Sequence, residues 1–300
     1  TFFLSGGLRV ERNSGLNGIG DIATLPMLGG AVVHAIGPNT FKLRAAYGKG
    51  IRPPENSNRA GAIIGLNGTV DPEQQSGIEA GADIFFGKYA AIHATRFNQR
   101  ASGLIQPVGV YATSINDSMP HFRRVVYELQ NVGEISNRGW EFQGSVGDGP
   151  WSLGATFSQV DSRVRKLADR YTGDLLPGDR MLEVPATTLG LNAMYAHSRW
   201  SMAWRVSRAS DWVNYDRLLL LRTAATAGAD PQDLVGSSLR SYWRNYSGVT
   251  RLGARVGMNV SKGMTLTLDG ENLLDEQRGE PDNITVLPGR TISAGLRVSF

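Results

Sequence analysis

Four histidines are the first residues to test for chemistry, because a chain without cysteine has few other ways to build a nucleophilic relay or a metal site. They are His34, His93, His121 and His197. Nucleophilic catalysis needs a Ser or Thr beside a His that a third polar group orients. No Gly-x-Ser-x-Gly elbow occurs, and the histidines lack the His-Glu-x-x-His spacing of a zinc site. Neither an enzyme nor a metal centre is expected, and no cofactor is implied. The charges are more orderly. Lys42, Arg44, Arg205, Arg251, Arg255 and Arg297, with Glu79, Asp83, Glu141, Asp269 and Glu271, fall in segments where polar and apolar residues alternate. Gathered on one face, they could pair with each other, dock a polar surface or guide an anion.

The elements that would gather them are strands. TISAGLRVSF at 291–300 sets Ile292, Ala294, Leu296, Val298 and Phe300 against Thr291, Ser293, Gly295, Arg297 and Ser299, the period of a strand with two unlike faces. The same unit recurs upstream and predicts about twelve strands: 1–12, 24–36, 40–49, 74–86, 89–106, 122–147, 150–160, 186–196, 199–208, 243–260, 263–272 and 289–300. The stretch 122–147 changes parity near Asn131 to Ile135 and reads as one long strand with a bulge.

The connections alternate in length. Short links fall at 37–39, 87–88, 147–150, 197–199 and 261–263, and longer ones at 13–23, 50–73, 107–121, 161–185, 209–242 and 273–288. In an up-and-down antiparallel sheet that rhythm puts every long loop on one rim and every tight turn on the other. It is the pattern of an outer-membrane β-barrel, and most of the strands reach the roughly 9 to 11 residues that a tilted crossing needs. The fold class is therefore all-β, an antiparallel up-and-down transmembrane barrel with its apolar face in outer-membrane lipid and its charges on the lumen. Trp140, Trp151, Tyr195, Trp200, Tyr246 and Phe300 sit near strand ends, where interfacial girdles lie. A soluble β-sandwich is the alternative for the strands, and a passive porin-like channel is the alternative for the barrel.

Composition agrees. Gly makes up 37 of 300 residues and hydrophobic types only 41%, and no run approaches the ~18 apolar residues of a membrane helix. Against 27 Asp and Glu stand 31 Lys and Arg, a mild excess with no basic block, so nucleic acid is not an expected partner. TFFLSGGLRVERN reads as a strand already under way and lacks the layout of a signal peptide, so a preceding part of the protein is expected.

Several stretches are specific enough to carry a resemblance. In GENLLDEQRGEPDNITVLPGRTISAGLRVSF the residues Asn272, Leu273, Leu274 and Asp275, then Pro288, Gly289 and Arg290, then Phe300, are similar to the closing hairpin of TonB-dependent outer-membrane receptors. AAYGKGIRPPE resembles the family's Tyr-Gly-x-Gly-Phe-Arg-x-Pro segment through Arg52 and Pro54, with Ile51 in place of Phe. LQNVGEISNRGWEF resembles its Asn-x-Gly…Gly-x-Glu strand through Asn131, Gly133, Gly139 and Glu141. VDPEQQSGIEAGAD and the Val-Pro lead-in of VPATTLGLNAMY fit two further strands.

The resemblance implies a 22-strand barrel closed by a separate plug domain, of which residues 1–300 would be the C-terminal portion, without plug or first strands. It implies capture of a scarce nutrient, most often a ferric siderophore and sometimes cobalamin or a glycan, and import energised by the TonB–ExbB–ExbD complex in a Gram-negative bacterium. The terminal aromatic Phe300 would be read by the barrel assembly machinery. A loop pocket for such a ligand would draw on aromatics and cations, and Tyr111, His121, Arg180, Trp212, Tyr215 and Arg217 are the candidates. Mixed charge on the inner wall would suit docking of the plug.

Overall fold

Every backbone amide and carbonyl of a strand needs a partner, and the alternating segments find theirs mostly in the next segment along the chain. The computed structural model describes residues 1–12, 22–54, 70–111, 125–226, 228, 230–278 and 282–299. Its strands are β1 (Phe2–Arg12), β2 (Ile22–Ile36), β3 (Asn39–Arg52), β4 (Glu73–Phe86), β5 (Ala90–Ser102), β6 (Ile105–Tyr111), β7 (Val125–Asn131), β8 (Gly133–Asp148), β9 (Trp151–Leu167), β10 (Thr187–His197), β11 (Trp200–Ser210), β12 (Trp212–Tyr215), β13 (Trp243–Tyr246), β14 (Val249–Ser261), β15 (Met264–Glu271) and β16 (Thr291–Val298). Twelve of them form one antiparallel sheet in the order β1-β2-β3-β4-β5-β8-β9-β10-β11-β14-β15-β16. The two remaining pairs, β6 with β7 and β12 with β13, stand apart as small two-stranded antiparallel sheets at the long-loop rim.

At the other rim the links are tight. A two-residue turn between twisted strands favours a left-handed residue, which Gly149 supplies at φ 57° and Ser198 at φ 52°.

Three expected strands divide. The stretch 122–147, read as one bulged strand, is β7 and β8, broken at the buried Val132. Asn131 explains the break: its side-chain amide donates to the carbonyls of Asp71 (2.9 Å) and Gly103 (2.6 Å), and its oxygen accepts from the Asp71 amide (2.7 Å). That clasp bends the chain away from the sheet. Residues 89–106 likewise end as a strand at Ser102, and β6 begins at Ile105 and runs on to Tyr111, into what the sequence suggested was a loop. The stretch 243–260 divides into β13 and β14.

Register fixes the faces. Lys42 opposes Asp83, Asp83 opposes His93, Thr95 opposes Glu141, and Glu141 opposes Ser158. Residues directly opposite share a face, so polar side chains run across the sheet on one side. On the other side Phe2, Leu4, Leu43, Ile78, Phe142, Leu153, Leu191 and Leu296 stand exposed.

The buried core lies elsewhere. Val132, Ile135, Val164, Leu175 and Met181 cluster where the loops fold back on the ends of β8 and β9, joined by Leu104, Leu167, Tyr171, Leu182, Val184 and Trp243. A single sheet wall has no interior of its own; the loop rim does.

Phe97 shows how closely the wall packs. Its ring, 7% exposed, lies over Gly139, its cross-strand partner, and a Cβ there would meet Phe97 Cζ at 2.5 Å and the Gln159 carbonyl oxygen at 2.0 Å. Gly139→Ala is therefore expected to cost on the order of 1–3 kcal/mol through overpacking. Gly48→Ala, with no atom within 4 Å of the added carbon, serves as the control. Urea titration of the refolded barrel checks this: equal midpoints for the two variants would refute the packing argument.

Candidate ligand-facing cap and polar wall

The polar wall begins at β3–β5. Arg44 lies across Gly81, where a Cβ would meet its guanidinium carbon at 2.8 Å. It donates to Asp83 (3.2 Å) and to the Thr95 hydroxyl (2.6 Å). Asp83, only 4% exposed, also receives Lys42 Nζ at 3.7 Å and His93 Nδ1 at 3.0 Å. Higher on the wall Gln99 donates to Glu79 (3.0 Å) and accepts from Gln75 (2.9 Å). Towards the other edge Arg255 pairs with Asp269. Register carries Glu141, Arg205, Arg251, Glu271 and Arg297 onto this same face. Between the wall and the inward-folded residues Met181, Leu182 and Val184 lies a cavity of about 490 Å³, whose wall side includes Glu79, Gln99, Asn137 and Glu141.

The long connections form a cap. Asp174, 5% exposed, accepts from the Tyr215 hydroxyl (2.7 Å) and from Trp243 Nε1 (2.6 Å). Arg240 donates to the Asp174 carbonyl (2.8 Å), forms an ion pair with Asp179 and lies 4.3 Å from the Trp243 ring centroid. A helix α1 (Arg217–Ala225) starts at Asp216, whose carboxylate accepts the Leu219 amide at 2.9 Å as an N-cap. Asn283 donates to the same carboxylate at 2.7 Å, tying the 273–288 connection to the 209–242 connection.

Protonation follows from burial and pairing. Burial, with the Asp174 charge, pushes the Tyr215 phenol well above its ordinary value, and burial pushes Tyr171 up to about 12. Burial also acts to raise Asp179, but hydrogen bonds from Arg240 and the Leu176 amide prevail and hold its carboxyl below the usual range. Asp282 is likewise held low, against burial, by the amides of Thr285 and Ile284 and by Arg217.

The six loop residues singled out from the sequence fare differently. Trp212 is 2% exposed, stacked on Tyr246 with ring centroids 5.6 Å apart, so it is cap interior rather than open surface. Tyr246, expected in a girdle, belongs to that stack. Tyr215 spends its hydroxyl on Asp174, Arg217 joins Glu183 (3.1 Å) to Asp282 (3.2 Å), and Arg180 reaches Asp211 (3.2 Å). Tyr111 closes β6. His121 and Phe300 lie outside the described residues. Sequence reasoning missed Asp174, Asp179, Arg240 and Trp243, which do most to hold the cap; only the density of aromatic and charged types in 209–242 pointed there.

The motif residues act as clasps. Asn272, at φ 47°, donates to the carbonyls of Glu276 (2.9 Å) and Pro288 (3.0 Å), and Asp275 accepts the Arg290 amide (2.9 Å). Leu273 packs over Gly270, and Gly289 lies close against Asp275. Arg52 reaches Glu73 at 3.5 Å, and Pro54 is buried beside it in sequence.

Residues 1–273 match the family model described as TonB dependent receptor-like, beta-barrel. No curated protein sequence matches the chain. Among solved structures, the siderophore receptor PirA of Acinetobacter baumannii superposes with a TM-score of 0.64, the ferric enterobactin receptor PfeA of Pseudomonas aeruginosa with 0.65 and the FrpB iron transporter of Neisseria meningitidis with 0.62. Each is 16% identical, and the match covers 100% of this chain and 43% of the other. The chain thus spans less than half the length of these structures, and the likeness is one of fold.

A carboxyl depressed by folding contributes stability above its ordinary pKa and loses it as pH falls. With Asp179 and Asp282 both held low, the cap is expected to loosen below about pH 4. At neutral pH, Asp174→Asn is expected to weaken it locally by about 1–3 kcal/mol. Hydrogen exchange over 161–185 and 209–242 reads both effects, with β10 and β11 as the internal reference; unchanged loop protection in either arm would contradict the clasp.

Proposed function

Because this chain belongs to the TonB dependent receptor-like β-barrel family, one of transport receptors rather than enzymes, we propose that it forms the C-terminal part of the wall of an outer-membrane receptor in a Gram-negative bacterium. The apolar face meets lipid and the charged face lines the lumen. β1 and β16 each have one partner among the described strands, and in hydrocarbon such edges need further strands to pair with. Those strands, and a plug domain that the lumen charges Arg44, Glu79, Asp83, Glu141, Arg205, Arg251, Arg255, Asp269, Glu271 and Arg297 would face, belong to the rest of the protein.

The cargo we infer is a ferric siderophore, taken up with energy supplied through TonB–ExbB–ExbD. The observation that carries this reading is the arrangement of the long-loop rim: a cap rich in aromatic and arginine side chains, paired among themselves, stands beside a cavity of about 490 Å³ that Met181, Leu182 and Val184 close against Glu79 and Glu141 of the charged wall. Bulky chelates with aromatic and anionic groups suit a rim of this composition. The family match disfavours a passive channel.

Deleting the gene in its host is expected to abolish uptake of at least one radio-iron-loaded siderophore under iron limitation, and deleting the host's TonB protein is expected to do the same. Uptake that persists without TonB would overturn the energised reading. Deletion without effect on any ferric siderophore, with loss of another nutrient instead, would move the cargo and leave the receptor assignment standing.

A further inference from the structure

On the lipid-facing side of the sheet, one arginine stands too low. Arg96 is six residues beyond Ala90 on β5, which places it about 20 Å along the strand and, at a tilt of about 40°, about 15 Å up an apolar band about 25 Å tall. Its row reads Ala45, Ala80, Arg96, Trp140 across β3, β4, β5 and β8. Among the described residues its guanidinium has no ion-pair partner; it lies over the Trp140 ring, 5.4 Å from the centroid. A cation on lipid-exposed wall is costly unless an anion meets it.

Higher rows on the same face carry more positive charge. Lys49, Ser76, Arg100, Ser136 and Arg163 oppose one another in sequence across five strands, and Arg138 opposes Asp161 one row below. Asp161 receives both Arg138 (3.3 Å) and Arg163 (2.7 Å), and Glu134 receives Arg100 (3.1 Å). Arg208, beside the aromatic row of Phe142 and Phe157, bonds only the Thr250 hydroxyl (2.6 Å) among the described residues. With Lys166 opposite Glu134, seven cations face two carboxylates in these rows. Directly beneath lies an apolar groove of about 530 Å³, floored by Ala90, Gly144 and Ala155 and walled by Ile92, Leu153 and Trp204.

We propose that this outer wall of β5, β8 and β9 holds a phosphate-bearing, multi-acyl lipid of the surrounding leaflet. Arg96, Arg100 and Arg138 take the headgroup phosphates, Arg96 reaching up from the apolar band, and one acyl chain lies in the groove. Arginine suits the task because its fork binds phosphate oxygens in pairs. Charge complementarity selects the occupant: a neutral lipid would leave Arg96 without an anion, and a protein partner would have to carry phosphate-like charge into hydrocarbon. The proposal rests on the outer-membrane reading of the fold and is independent of the cargo.

The test uses the full-length receptor, extracted from outer membranes in detergent, delipidated and titrated under native mass spectrometry. The probes are a hexa-acyl disaccharide bisphosphate lipid and the same lipid without its phosphates. The phosphorylated lipid is expected to bind tighter by on the order of a hundredfold. The Arg96→Gln/Arg100→Gln double variant should lose at least about tenfold of that preference, whereas Lys262→Gln, in a tight turn at the opposite rim, should keep it. Gly144→Leu, which fills the groove floor, should lower retention of both lipids and spare their ratio, giving a handle should the double variant not fold. Equal binding of the two lipids, or an undiminished preference in the double variant, would overturn the proposal. Displacement of bound lipid by millimolar inorganic phosphate would overturn it in favour of a soluble-anion site. Recovery of the protein without detergent would instead defeat the membrane reading itself.

Discussion

A peptide group left unpaired in hydrocarbon costs several kcal/mol, and the whole architecture answers to that cost. Pairing each strand with its neighbour in register satisfies the backbone through the wall, and the pairing then dictates the side chains. Once Lys42 opposes Asp83 and Asp83 opposes His93, the period of two leaves no choice about which residues meet lipid and which meet the lumen. Close approach of backbones on the polar side is met by glycine: Arg44 lies across Gly81 and Phe97 over Gly139. The wall is thin, and its side chains pack into the gaps these glycines leave.

Because one sheet cannot enclose a core, the apolar burial that a soluble domain would place between layers is displaced to the long-loop rim. Val132, Val164 and Leu175 sit there under Trp243. The polar groups buried with them must be satisfied locally, and Asp174 achieves this by accepting from Tyr215 and Trp243 at once. A cap held in this way has little side-chain freedom left to lose, so under the proposed receptor function it would present a preorganised surface.

Strands and their faces were legible in the sequence because both depend on a local period; Ile292 to Val298 announces itself within ten residues. The turns were legible for the same reason. The cap was not, since its contacts join residues far apart in sequence: Trp243 bonds Asp174 at a separation of 69, and Asn283 bonds Asp216 at 67. The one strand expected over 122–147 divides because the Asn131 side chain bonds Asp71, 60 positions away. Aromatic and basic residues in the loops looked like ligand groups, yet Trp212 and Tyr215 are drawn into the cap by the same hydrophobicity and hydrogen bonding that made them candidates. The motif residues were recognisable before they were explicable: Asn272 and Asp275 brace the last loop, and only the fold shows the carbonyl and amide they reach.

Neighbouring residues on β5 meet two different solvents and solve one problem in two ways. Thr95 faces inward, and its hydroxyl accepts from Arg44, which Asp83 neutralises from within the protein. Arg96 faces outward, one residue on, where the nearest wall offers alanines and an indole ring. Inward, the wall can supply its own counter-charge, because opposing strands place acid and base on the same row. Outward, opposing strands do the same one row higher, where Asp161 opposes Arg138, but the row of Arg96 carries no acid, and one placed deeper in hydrocarbon would itself need neutralising. On the proposed reading a lipid phosphate supplies the anion there, and the position of Arg96 would make the wall's outer face as chemically specific as its inner one.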